Sequence, residues 1–206
     1  MNGPRRTWLA VAAVLVWLLA AAAARSLGIW NALGGAAVAL GIAVLLFDRR
    51  SSTALLRPNL RLVLLGATAG AVMAVATYLI YPRLARRLPL VAPDVARLYV
   101  AFRVKSLVVA WVAIVPVVIG EELVWRGVVQ RSLVERFGAW GGVTLAAAVY
   151  AAVHLPLGSP LLVAVAFGCG LTWGALRATT GSLVPALVAH LLWDVLVLLS
   201  LPLDVR

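Results

Sequence analysis

The chain has 206 residues, of which 64% are hydrophobic and only 12% are charged, and its mean hydropathy is +1.05. A soluble domain is near half apolar and about a quarter charged, so a water-soluble protein is excluded. Intrinsic disorder is excluded as well, because it requires low hydrophobicity. The formal net charge is +11, but arginines in the loops of a membrane protein set its orientation, and no nucleic-acid partner is expected. The single cysteine, Cys169, cannot form an intrachain disulfide. The composition predicts one integral membrane domain over residues 1–206.

Seven apolar segments approach the length of about 20 residues that a helix needs to cross the hydrocarbon core. Backbone groups in lipid must be paired within the segment, and the alanine- and leucine-rich runs lack the alternation of barrel strands. We therefore expect an all-α fold, a polytopic transmembrane bundle of about 7–8 helices. The segments are Thr7–Ala24, Gly28–Phe47, Leu62–Tyr81, Leu107–Arg126, Trp140–His154, Pro160–Leu176 and Leu183–Leu203.

Two pairs of glycines indicate where helices approach each other closely. Gly66 and Gly70 form a GxxxG pair on the third segment, and Gly170 and Gly174 form another on the sixth. Small residues at this spacing let two helix backbones come together, so we expect both faces to contact neighbouring helices.

The loops carry most of the arginines. Arg5 and Arg6, with four arginines between the second and third segments, predict a cytoplasmic N-terminus in a membrane that we take to be a prokaryotic plasma membrane. Residues 82–106 are also basic, although simple alternation places them on the other side. Part of this stretch has helical amphipathic spacing and predicts either a helix lying in the membrane interface or a solvated loop helix without a functional role. Its apolar positions are Val95, Leu98, Tyr99 and Phe102, and the opposite positions are Asp94, Arg97, Ala101 and Lys105.

Six ionisable residues fall within or at the ends of the apolar segments of the C-terminal half: Glu121, Glu122, Arg126, His154, His190 and Asp194. Ionisable groups inside a membrane cost several kcal/mol and usually mark a functional site. Residues four apart share a helix face, so Glu122 can pair with Arg126, and His190 lies beside Asp194. Glu121 points about 100° away from its neighbour and is free to face a cavity. We predict one polar cavity built from three helices.

Three short motifs in this half resemble those of a known family. Residues 120–127 read GEELVWRG and resemble the EExxxR motif of the CPBP (Abi, or type II CAAX prenyl endopeptidase) intramembrane proteases. Tyr150 precedes His154 by four, as an aromatic residue does in the second motif. His190 and Asp194 resemble the third motif, HxxxN/D, with aspartate where well-studied members have asparagine. The resemblance covers about residues 107–200, which we take as the catalytic core, with residues 1–106 as N-terminal spans and an amphipathic loop.

The resemblance implies hydrolysis of peptide bonds inside the membrane. Glu121 is expected to activate a water molecule as general base, and His154 to hold that water or share its proton. His190 and Asp194 are expected to position and stabilise the oxyanion. An ionised carboxylate accepts hydrogen bonds and donates none, so Asp194 must be protonated, orient the histidine or bind a metal.

The neighbouring Glu122 and Arg126 are expected to form a supporting pair. The preferred mechanism needs no cofactor. The alternative is a zinc ion held by the four expected catalytic residues, because two histidines with carboxylates form an acceptable zinc site. The expected partners are membrane lipid and a peptide or protein substrate at the membrane. A non-catalytic membrane protein, either a peptide-binding immunity scaffold or a proton-coupled transporter, is the alternative function.

Overall fold

The computed structural model of the protein describes residues 3–103 and 106–203, and every regular element in these residues is helical. Lys105 of the amphipathic pattern lies outside the described residues. The α-helices are α1 (Gly3–Leu27), α2 (Gly35–Phe47), α3 (Arg49–Leu55), α4 (Leu60–Arg87), α5 (Val91–Ala101), α6 (Leu107–Val124), α7 (Gln130–Ala152), α8 (Pro160–Thr180) and α9 (Val184–Asp194). Wider π-helical turns occupy Trp30–Gly34, Trp125–Val129 and Val195–Ser200, and Leu155–Leu157 forms a 3-10 turn.

Within the described residues, five helical stretches are long and apolar enough to cross a membrane. One of them, Val108–Leu157, contains two of the predicted segments, which are separated by a break at Gly138 (φ 74°). The shorter apolar stretch Val184–Ser200 corresponds to the seventh predicted segment. The fold class is confirmed: the protein is an all-α, polytopic integral membrane bundle. Its orientation in the membrane stays a prediction.

The outer surface of the bundle is apolar and its centre is closely packed. Trp8, Leu46 and Val108 are among the large apolar side chains that are mostly exposed, as expected for surfaces that face lipid. In the interior, Trp17 of α1 meets Trp125 edge to face, with ring centroids 5.5 Å apart. The helix α1 approaches this core mainly with small residues at helical spacing, and its buried apolar positions are Ala10, Ala13, Trp17, Ala21 and Ala24.

Both predicted glycine pairs lie at close helix contacts. A Cβ atom at Gly66 would lie 2.6 Å from the carbonyl oxygen of Pro185, and one at Gly70 would lie 2.8 Å from that of Ala189, so α4 packs directly against α9. The second pair packs α8 against α7, where Gly170 meets Ala147 and Gly174 meets Val143 and Gln130. The prediction of two close helix contacts is confirmed.

The amphipathic helix α5 turns its apolar face into the bundle, where Val95, Leu98, Tyr99 and Phe102 line an internal cavity. The position of this helix relative to the membrane interface stays a prediction. Asp94, on the polar side of the pattern, is buried: it accepts hydrogen bonds from the Ser159 hydroxyl (2.7 Å) and the Leu161 amide (3.3 Å). A further bond joins the indole Nε1 of Trp30 to the Phe102 carbonyl oxygen (3.0 Å). The helix is thus fastened to two neighbouring helices, and it covers the cavity.

Candidate active site

The helices α2 and α6 cross at a glycine, and this crossing fixes the position of the first residues of the site. Gly120 immediately precedes the glutamate pair, and a Cβ atom there would overlap the carbonyl oxygen of Ala37 on α2. At the same crossing, a Cβ atom at Gly41 would lie 2.6 Å from the Cα atom of Gly120. Only glycine permits this approach at position 120, so α2 determines where the next two side chains of α6 lie. The helix then widens into the π-helical turn Trp125–Val129, a form that is frequent at functional sites.

Glu122 forms the buried centre of an ionic cluster. Its side chain is fully buried, and its Oε1 atom lies 3.3 Å from Nη1 of Arg126 and 2.9 Å from Nδ1 of His190. The Oε2 atom of Glu122 has no hydrogen-bond partner among the described residues. Arg126 and His190 compensate the charge of this buried carboxylate. Removing one charge of a buried pair would leave the other uncompensated. The cluster joins α6 to α9.

Aromatic rings fix the two cations of this cluster. The imidazole of His190 stacks on Trp173 of α8 with ring centroids 3.7 Å apart and an angle of 18°. The Cζ atom of Arg126 lies 4.8 Å from the ring centroid of Tyr150 and 5.1 Å from that of Trp173, within the range of cation–π attraction. The guanidinium and the imidazole therefore have little freedom to change rotamer.

Glu121 is separate from that cluster and faces the cavity. Its Oε2 atom accepts a hydrogen bond of 2.9 Å from the hydroxyl of Tyr150 on α7. His154, just beyond the end of α7, places Nδ1 2.7 Å from the main-chain oxygen of the same tyrosine. A carbonyl oxygen only accepts hydrogen bonds, so Nδ1 carries the proton and Nε2 keeps its lone pair. Both Glu121 and His154 line the cavity.

His190 lies between two carboxylates. While its Nδ1 atom meets Glu122, its Nε2 atom lies 3.5 Å from Oδ2 of Asp194, one turn further along α9. Carboxylate oxygens accept hydrogens, so the arrangement fits an imidazole that is protonated on both nitrogens. Asp194 is adjacent to the π-helical turn Val195–Ser200, whose main-chain oxygens accept bonds from tyrosines of α4 and α5.

The cavity has a volume of about 180 Å³ and combines a polar end with an apolar end. Glu121, Tyr150, His154, His190 and Asp194 line its polar end. The rest is mainly apolar, with side chains from the α1–α2 connection, α5, α6, α8 and α9, among them Ile29, Leu33, Val95, Ile114, Leu161 and Val165. The mixed lining is suited to an apolar group held beside a few polar groups.

All four residues expected in catalysis, Glu121, His154, His190 and Asp194, line this cavity. The expected supporting pair, Glu122 and Arg126, is buried behind them. The ionisable groups lie on α6 and the π-helical turn that follows it, just beyond the end of α7, and on α9.

Sequence analysis missed two aromatic contributors. Trp173 supports His190 and Arg126, but a tryptophan in an apolar run carries no signal of such a contact. Tyr150 was noted only as an aromatic residue, although its hydroxyl distinguishes it from phenylalanine.

The fit of a zinc ion can be tested on the side chains themselves. Within residues 3–103 and 106–203, no three side chains of His, Cys, Asp or Glu are close enough together to hold one metal ion. Both nitrogens of His190 already face carboxylates, and Nδ1 of His154 is bonded to a carbonyl oxygen. The arrangement therefore does not fit a zinc site, and we derive no step through a metal.

Comparison with protein families gives a match to the model of type II CAAX prenyl endopeptidase Rce1-like proteins over residues 103–196. This segment contains all six ionisable residues of the site. Over these residues the chain is similar to the CAAX protease family, the family that its motifs resemble, and the match supports an intramembrane endopeptidase of the CAAX type in general. Searches of curated proteins and of solved structures gave no match.

Proposed function

We propose that the protein hydrolyses peptide bonds with a water molecule that Glu121 activates, without a metal. The observation that supports this most directly is that the two adjacent glutamates lie in different surroundings. Glu122 is neutralised in the buried cluster, whereas Glu121 faces the cavity with Oε1 free of hydrogen bonds from the described residues. A carboxylate with one free oxygen in a mainly apolar cavity is suited to take a proton from water.

The reaction follows from these positions. Glu121 Oε1 removes a proton from the water as its oxygen bonds to the carbonyl carbon of the peptide, and His154 Nε2 accepts a hydrogen bond that orients that water. The carbonyl electron pair moves to oxygen, and the oxyanion is stabilised by the positive charge of the His190 imidazolium, which Glu122 and Asp194 hold in place. When the oxyanion collapses, the C–N bond breaks and the proton on Glu121 passes to the leaving nitrogen. The products are a carboxylic acid and an amine.

The substrate is a peptide or protein in or at the membrane. The apolar end of the cavity accepts an uncharged, apolar segment next to the bond that is cut, because an ion placed there would lose its hydration without gaining a partner. The name of the matched family points to prenylated CAAX peptides, and a farnesylated CAAX peptide is therefore a suitable first probe.

The test in cells is comparative quantitative proteomics of membranes that contain either the wild-type protein or Glu121→Gln. The matched control is Glu135→Gln, which changes an equally charged side chain that is half exposed and bonded to Arg6 outside the cavity. We expect cut peptides with the wild type and the control, and accumulation of the uncut form with Glu121→Gln. Identical profiles with all three proteins would contradict hydrolysis and favour a non-catalytic scaffold.

The metal-free mechanism has its own test on purified protein. After treatment with a strong chelator, cleavage of the peptides identified above is expected to continue at the untreated rate. Loss of cleavage that added Zn²⁺ restores would overturn the metal-free mechanism while leaving the peptidase activity itself intact.

A further inference from the structure

Tyr150 is in direct contact with both residues that we place on the attacking water. Its hydroxyl donates to Oε2 of Glu121 (2.9 Å), and its main-chain oxygen accepts from Nδ1 of His154 (2.7 Å). Glu121 lies on α6, and His154 lies just beyond the end of α7. One residue thus sets the orientation of a carboxylate through its side chain and of an imidazole through its main chain.

The ring of Tyr150 is held on several sides. Trp125 meets it edge to face with ring centroids 5.0 Å apart, and His154 does so at 4.8 Å. The guanidinium of Arg126 lies over the ring, and the residue is only 6% exposed. These contacts confine the hydroxyl to one place, so its hydrogen bond selects one rotamer of Glu121.

The hydrogen bond also distinguishes the two oxygens of that carboxylate. The hydroxyl occupies Oε2, and Oε1 is left to meet the water. A freely rotating carboxylate would present either oxygen in varying directions, and a misplacement of about 1 Å costs on the order of 100-fold in rate. A phenylalanine would keep the ring contacts, but it would leave Glu121 without this constraint.

We propose that Tyr150 is a positioning residue for the hydrolytic reaction, with its hydroxyl fixing the reactive rotamer of Glu121. This inference rests on the proposed function. A purely structural role, in which the hydroxyl contributes only to packing, is the competing explanation, and it predicts a loss of stability without a specific loss of turnover.

The test compares Tyr150→Phe with the wild type in lipid nanodiscs, with a farnesylated CAAX peptide and a peptide library from a digest of bacterial membrane proteins as probes. We expect kcat to fall roughly 10- to 100-fold while KM stays within about 2-fold, because binding is unchanged and only orientation is lost. The control is Thr179→Val, which removes an exposed hydroxyl bonded to the main-chain oxygens of Ala175 and Leu176, and whose kcat is expected to stay near wild type. An unchanged kcat in Tyr150→Phe would overturn the inference.

Two further measurements separate positioning from packing. With 4-aminophenylalanine at position 150, a donor is restored where the hydroxyl was, and part of kcat should return; 4-methylphenylalanine, of similar size and without a donor, should not restore it. In Glu121→Asp the shorter carboxylate withdraws from the hydroxyl, so Tyr150→Phe should cost little more in that background. Equal rates with both unnatural residues would contradict positioning through Glu121. The same conclusion would follow if Glu121→Asp and Tyr150→Phe had independent, multiplicative effects on kcat.

The outcome also distinguishes this inference from the proposed function. If Glu121→Gln cuts as fast as the wild type, the proposed function fails. If Glu121→Gln is inactive and Tyr150→Phe has wild-type kcat, only the role of Tyr150 fails.

Discussion

His190 on α9 and Glu122 on α6 are joined by a hydrogen bond of 2.9 Å between Nδ1 and Oε1, deep inside a membrane protein. This bond connects the helix that provides Asp194 to the helix that provides Glu121. The distance between the expected oxyanion site and the expected base therefore depends on a residue that does not itself face the cavity.

Glu122→Gln tests this connection. The substitution keeps the size of the side chain but leaves the buried Arg126 without its counter-ion, so we expect the free energy of unfolding to fall by about 3–5 kcal/mol. Arg131→Gln, at the partly exposed ion pair with Glu135 (3.5 Å), should cost only about 0–1 kcal/mol. Denaturant titration in mixed micelles measures both. Equal losses of unfolding free energy in the two variants would show that the buried cluster contributes no more to stability than the partly exposed ion pair.

The orientation of His154 predicts unequal effects for its two amide substitutes. Because Nδ1 is bonded to the Tyr150 carbonyl, Nε2 is the nitrogen available to water. Glutamine can place an amide near the Nε2 position, whereas asparagine reaches only the Nδ1 position. We expect His154→Gln to retain at least about 10-fold more cleavage than His154→Asn, since general acid–base contributions are about 10²–10⁴-fold. A more active asparagine variant would reverse the assignment of the two nitrogens.

The helix crossing at Gly120 predicts a loss of activity from one added methyl group. Gly120→Ala forces α6 away from Ala37 and moves Glu121 with it, and overpacking of this kind costs about 1–3 kcal/mol. Gly168→Ala is the control, because a Cβ atom at that helical position meets nothing within 4 Å. There, alanine should preserve activity and stabilise by up to about 1 kcal/mol. Thermal unfolding and peptide cleavage measure the pair, and an active, stable Gly120→Ala would contradict the close contact.

Asp94 predicts a pH dependence of α5 docking. Burial acts to raise the pKa of the Asp94 carboxyl, but hydrogen bonds from Ser159, Arg97 and Leu161 outweigh it and lower the pKa below the usual value of 3.8. A group whose pKa is lower in the folded state stabilises it at pH values above the unfolded pKa, and this stabilisation is lost as the pH falls through the folded pKa.

The corresponding measurement is hydrogen exchange of residues 91–101, corrected for the intrinsic rate at each pH. Protection should be constant at neutral pH and decrease below about pH 4. In Asp94→Asn it should be weaker at neutral pH and should lack this acid-dependent decrease. Identical pH profiles in the two proteins would show that the carboxylate does not hold the helix over the cavity.

The sequence was sufficient for the helical class and for the glycine contacts, and it indicated the proximity of the six ionisable residues, whose roles stay a prediction. Helical periodicity determines which neighbours share a face, and it correctly separated Glu121 from the pair formed by Glu122 and Arg126. It did not predict the burial of Asp94, whose partner Ser159 is 65 residues away. Such a pairing depends on the tertiary arrangement of helices, as does the stacking of Trp173 on His190, and neither has a local pattern.

The most direct measurement is cleavage of the same peptide library by purified protein in nanodiscs, in water enriched in ¹⁸O. We predict that the wild type cuts and that the new carboxyl end carries one ¹⁸O atom. Glu121→Gln should reduce the rate roughly 10²- to 10⁴-fold, as loss of a general base does. Cleavage by Glu121→Gln at the wild-type rate would contradict the assignment of Glu121 as the base that activates water.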